Sequence, residues 1–171
     1  LPMLVDGTGV RIHRAPDALY FAQYELCNMY ARAEAYEQAL PEARRLLDIA
    51  STSMQAHFTL VNVLARLGMY DEVVEVAKHG LRAACDREAA GYLYYRLAFA
   101  LWNRGEKSGA LACYSMVPSG DQVSAVAREE MRELMNEMGR TEPMGRAEVT
   151  GALRACGIPV APTDELYRRI A

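Results

Sequence analysis

The chain has 171 residues, 51% of them apolar and 24% charged, with a net charge of −3. This balance suits a single globular domain and excludes a disordered chain or a two-domain enzyme of usual size. The sequence holds 27 Ala and 18 Leu against 16 Val plus Ile, and because Ala and Leu are strong helix formers while β-branched residues favour strands, an all-α protein is expected.

The sequence pI near 5.7 offers no basic field to hold a phosphate backbone, so no direct nucleic-acid partner is expected. The longest clean apolar run, the six residues from Leu97 to Trp102, is far short of the roughly 20 that a membrane span needs. No membrane association is expected. Cysteines at 27, 85, 113 and 156 form no C-x-x-C and have no His at metal spacing, which points to reduced thiols in a cytoplasmic protein.

In chain order, residues 1–16 read as an N-terminal extension. Met3-Leu4-Val5 and Val10-Arg11-Ile12 flank Asp6-Gly7-Thr8-Gly9, the pattern of a short hairpin. The Gly-x-Gly there is read as a turn, since a phosphate-binding loop would open a helix. No secretory signal is visible, and a start without Met reads as that of a fragment.

Residues 17–156 carry a helical pattern that repeats. Gly68, Gly105 and Gly139 mark three similar junctions, and a fourth falls 34 residues before Gly68 at Glu34, so the spacings are 34, 37 and 34. Before the junctions, apolar residues recur one turn apart: Leu26 and Tyr30, Leu60 and Leu64, Leu97 and Leu101, Met131 and Met135. After them come Ala39, Ala43 and Leu46, then Val73, Ala77 and Gly80, then Ala110, Tyr114 and Val117, small enough for two helices to approach closely. Glycine at the junction suits the left-handed backbone that ends a helix. The units run over residues 20–53, 54–86 and 91–120, with a degenerate fourth helix pair over 125–156.

Two irregularities carry expectations of their own. Pro41, about one turn into a second helix, predicts a kink or a late helix start. The three extra residues before the third unit predict a longer turn around Cys85-Asp86-Arg87-Glu88. Helix 122–138 has one apolar stripe and a charged face of Arg128, Glu129, Arg132 and Glu133, as a terminal helix should. Residues 157–171 read as a loop followed by a helix capped by Thr163 and running through Ile170.

The matching positions are Leu26, Tyr30, Tyr36 and Ala39 in the first unit, Leu60, Gly68, Tyr70, Asp71, Glu72 and Ala77 in the second, and Leu97, Ala98, Gly105, Ala110 and Tyr114 in the third. With these residues the chain resembles the tetratricopeptide repeat family; the family's Trp and closing Pro are missing from every unit. The resemblance implies an all-α right-handed superhelix, a solenoid of three repeats plus the fourth pair and a C-terminal helix. It also implies a non-catalytic scaffold or adaptor holding a peptide or partner segment in a concave groove.

The first helices have more apolar surface than stacking requires. In the first, the core stripe is read as Ala22, Leu26, Met29, Tyr30 and Ala33, while Phe21, Tyr24, Asn28 and Arg32 form a second face. Gln55, Phe58, Asn62 and Arg66 follow in the second unit, then Tyr92, Tyr95, Phe99, Trp102 and Asn103 in the third, with Arg96 beside them. In the family, such positions line the groove. Their chemistry suits that role: aromatics dominate interface hot spots, Asn28 and Asn62 can both donate to and accept from a peptide backbone, and Arg32, Arg66 and Arg96 can pair carboxylates. An acidic or C-terminal peptide is the expected ligand. The alternative is that Tyr92, Tyr95, Phe99 and Trp102 pack internally. The carboxylate clamp of chaperone-tail-binding members reads Tyr24, Asn28, Thr59, Tyr92 and Arg96 here, without either Lys, so that particular ligand is not expected.

Residues 157–170 are similar to the closing segment of bacterial transcriptional activation domains, which gives a second functional reading: the helical-repeat regulatory domain of an activator. An enzyme is not expected. His13, His57 and His79 are scattered, no Ser or Cys sits in a nucleophile-elbow context, and neither cofactor nor metal is implied. Cys27 and Cys113 fall at packing positions.

Overall fold

A computed structural model describes residues 16–160 apart from Cys85 and Asp121. The expected hairpin of the N-terminal extension and the expected helix from Thr163 to Ile170 lie outside the described residues. The elements are α1 (Asp17–Arg32), α2 (Tyr36–Ile49), α3 (Met54–Arg66), α4 (Tyr70–Ala83), α5 (Arg87–Asn103), α6 (Lys107–Ser115), α7 (Gln122–Glu137) and α8 (Arg146–Ala155). The described residues are all-α, without a strand.

The junctions behave as their spacing predicts. Gly68, Gly105 and Gly139 have φ of 70°, 81° and 64°, and Glu34 takes the same left-handed conformation at φ 55°. At each, the amide one residue further on donates back to the carbonyl five residues earlier: Ala35 to Tyr30, Met69 to Leu64, Glu106 to Leu101 and Arg140 to Met135, at 2.9 to 3.0 Å. This is the Schellman closure, which satisfies carbonyls that a helix end would otherwise leave unpaired. Its acceptors are the second members of the i, i+4 stripes, so one set of residues serves both the turn and the core.

From α1 to α7 each helix packs on the next, and α1, α3, α5 and α7 also pack in succession. Ala39, Ala43, Ala77 and Ala110 are fully buried at these crossings, where a larger side chain would hold the helices apart. Pro41 lies inside α2, which starts five residues earlier, so no late start occurs. The extra residues of the third unit lengthen α5 rather than the turn. That helix begins at Arg87, four residues before the expected Gly91, and is capped by Asp86, whose Oδ1 accepts from the Ala89 amide at 2.7 Å.

The fourth unit departs from a helix pair. α7 and α8 both pack on α6 and not on each other. Gly109 of α6 allows this, because a Cβ there would lie 2.6 Å from Cys156 Sγ at the end of α8. The trailing segment continues onto α5, where the Tyr94 hydroxyl donates to the Pro159 carbonyl at 2.8 Å and Ile158 is buried. Arg140 pins the α7–α8 connection by a two-pronged pair with Glu148 at 2.6 and 2.7 Å.

The α1 stripe expected in the core lies largely outside it. Ala22, Met29 and Ala33 are exposed and Leu26 and Tyr30 are half-buried, while α1 is anchored through Cys27 and through Gln23, whose amide donates to the Glu42 carbonyl and carboxylate. The equivalent α3 residues Ala56, Leu60 and Val63 are buried. Among the described residues no helix precedes α1 to cover its stripe. No described helix is long and apolar enough to cross a membrane.

Candidate functional site

A groove of about 420 Å³ opens between α1, α3 and α5, lined by Tyr24, Cys27, Asn28 and Ala31 of α1, Tyr36 of α2, Gln55, Thr59, Asn62, Val63 and Arg66 of α3, and Arg96 of α5. Among the described residues its lining holds two arginines and three primary amides but no carboxylate. The positive side chains are held in place by aromatic rings. Arg66 lies over the Tyr36 ring at 5.0 Å, and Arg96 lies 5.3 Å from the centres of both Tyr92 and Tyr95, a contact that attracts a cation to the π face.

A hydrogen-bond relay sets which groups point into the groove. Arg96 donates through Nε and Nη2 to the Tyr92 hydroxyl at 3.2 and 3.1 Å, and that hydroxyl donates to Asn62 Oδ1 at 2.7 Å. The relay uses the acceptor of Asn62 and leaves its NH₂ free, and three of the five Arg96 N–H donors stay unused. Gln55 donates to the Tyr24 hydroxyl at 3.2 Å, while Thr59 turns its own hydroxyl back to the Gln55 carbonyl at 2.8 Å. The outcome is a wall of donors with positive charge, suited to an anionic acceptor. Cys27 is buried against it, and burial, then Glu42, raise its thiol pKa to about 11, so it is not a nucleophile at neutral pH.

Of the fourteen residues on the second faces, Tyr24, Asn28, Gln55, Asn62, Arg66 and Arg96 line the groove, and Asn103 is exposed with its amide donating to the Phe99 carbonyl at 2.8 Å. Phe58 and Tyr92 stand behind it with ring centres 4.6 Å apart, joining α3 to α5. Phe21 is 61% exposed, with its ring edge-on to Tyr20, and Arg32 is exposed outside the lining. The remaining three pack between helices: Phe99 against Tyr70, Tyr95 donating to Glu130 at 3.3 Å, and Trp102 donating through Nε1 to Glu137 at 3.1 Å. For Tyr95 and Trp102 the hydrogen-bond acceptors lie on α7, and both rings also meet Tyr114 of α6. Glu130 also accepts from the Tyr114 hydroxyl at 2.7 Å, and burial together with Glu130 raises the pKa of that hydroxyl. Glu137 bridges Trp102 and Lys107, and these two hydrogen bonds lower its pKa.

Tyr36, Thr59 and Val63 were absent from the sequence-based set. Thr59 and Val63 lie one and two turns beyond Gln55, so the helical period alone could have found them. Tyr36 starts α2 and meets Arg66 only across the fold.

A second polar cluster lies away from the groove. His57 is fully buried; its Nδ1 lies 2.8 Å from the Ser53 carbonyl and its Nε2 lies 2.9 Å from His79 Nδ1. A carbonyl only accepts, so His57 carries its proton on Nδ1 and takes the His79 proton at Nε2. Burial is the main cause that lowers the His57 pKa, reinforced by His79 and opposed by Ser53. Among the described residues no group of three or more His, Cys, Asp or Glu could hold a metal. The chain matches no protein-family model and no curated protein.

Proposed function

We propose that α1 to α6 are three tetratricopeptide-like pairs stacked in a right-handed superhelix, and that the groove holds a carboxylate-bearing peptide segment of a partner protein. The observation that carries this reading is the groove's polar lining, in which Arg66, Arg96, Asn28, Gln55 and Asn62 present donors with no carboxylate among the described lining residues. The repeated Schellman turns and the small residues at the crossings support the stacking. The role is that of a non-covalent adaptor.

The two arginines differ in weight. Arg96 is half-buried and Arg66 exposed, and solvent screens an exposed pair more strongly. A charge-assisted hydrogen bond contributes about 1.5–3 kcal/mol, so Arg96→Ala should weaken an acidic peptide about 10-fold or more, and Arg66→Ala less. Fluorescence anisotropy with a labelled Asp/Glu-rich peptide and its Asn/Gln counterpart checks this. The acidic peptide should bind, lose affinity as salt rises and respond to Arg96→Ala; equal binding of both peptides would contradict the proposal.

A further inference from the structure

We propose that α1 is a self-association surface, pairing antiparallel with α1 of a second copy of this chain. Leu19, Ala22, Leu26, Met29 and Ala33 are spaced 3, 4, 3 and 4 residues apart, which is the spacing of a two-helix seam. Leu19 is 48% and Met29 64% exposed. The same register is fully used elsewhere: Ala56, Leu60 and Val63 on α3 and Leu93, Leu97 and Ala100 on α5 are all buried. Gly80 of the preceding helix comes so close to α5 that a Cβ there would lie 2.8 Å from Leu93 Cδ1. α1 therefore carries a helix-accepting face with no described helix on it.

Charge identifies the occupant. In the frame that places Leu19, Ala22, Leu26, Met29 and Ala33 on the seam, Glu25 and Arg32 occupy the same flank, one heptad apart. Antiparallel pairing sets that flank against itself, so Glu25 meets Arg32 of the second copy, twice by two-fold symmetry. Both residues are exposed, and neither has an ion pair among the described residues. The opposite flank, Gln23 and Tyr30, turns toward the fold, which disfavours parallel pairing. In the antiparallel register Leu26 faces Met29 and Ala22 faces Ala33 at the end of α1, the alanines let the backbones approach, and Leu19 lies beyond the paired stretch. A head-to-tail chain of copies is disfavoured because α7 presents exposed Arg128, Glu129 and Arg132 instead. With about two heptads of contact the pairing is weak and reversible.

Sedimentation of the full chain over a wide concentration range tests the proposal. The mass should rise from 19.0 kDa toward twice that value. Met29→Glu should abolish the rise at an unchanged melting temperature. Arg32→Glu should weaken association about 10-fold or more through like charges, and Glu25→Arg with Arg32→Glu should restore it. A monomer at every concentration, a dimer indifferent to Met29→Glu, or a failed charge swap would overturn the proposal. So would a monomer whose melting temperature falls in Met29→Glu, because the face would then be covered within one chain.

Discussion

Among the described residues Glu34 is the one non-glycine residue with a positive φ. It holds φ 55° where the other three junctions have glycine, and a non-glycine residue there costs about 1 kcal/mol. Glu34→Gly should raise stability by about 0.5–1 kcal/mol in urea unfolding, partly offset by glycine's freedom in the unfolded chain. Gly68→Ala should lower it by about the same amount. This conformation was legible in the sequence, because Glu34 falls at the repeat interval from Gly68 and only the residue type had changed. The exposure of Met29 was not legible, because a helix-period stripe looks the same whether or not another helix lies over it.

At the scale of elements, α3 and α4 are joined by the buried His57 and its contact with His79. The depressed His57 pKa means that the unfolded state binds the extra proton first. Stability is therefore full above the ordinary histidine value of 6.5 and falls as pH drops from there toward the lower folded value. Such a group contributes a slope of at most about 1.4 kcal/mol per pH unit. Urea unfolding between pH 7.5 and 5.5 should show the fall, and His57→Gln should flatten it.

The contact between α5 and α7 carries another prediction. Tyr95→Ala with Trp102→Ala removes two half-buried aromatics and their bonds to Glu130 and Glu137, so stability should fall by about 3–5 kcal/mol. Arg96, the groove's half-buried cation, would lose only one of its two rings. Thermal melts combined with the peptide titration separate loss of packing from loss of binding. Tyr95 and Trp102 lie outside the groove lining and bond to α7, the internal packing left open as the alternative, because the sequence of α7 does not indicate which side of α5 it covers. Likewise, α8 docks on α6 through a contact between Gly109 and Cys156, far apart in sequence and silent in any local pattern.

For the whole molecule, a chain of net charge −3 concentrates two cations in a groove that has no carboxylate among its described lining residues. That local contrast is the basis of the central claim. Helical spacing puts six of the lining residues on the second face of their helices, and the family resemblance is what implies a groove there. The hydrogen-bond directions that turn the lining into donors were not legible, since they depend on Tyr92 reaching Asn62 across two helices. The most direct test is an amide-resolved NMR titration of the full chain with a short Asp/Glu-rich peptide. The side-chain amides of Asn28, Gln55 and Asn62 and the Arg96 Nε–H should shift together and saturate with a single affinity, while α7 and α8 stay unmoved. No saturable shift, or shifts centred outside the groove, would contradict the claim.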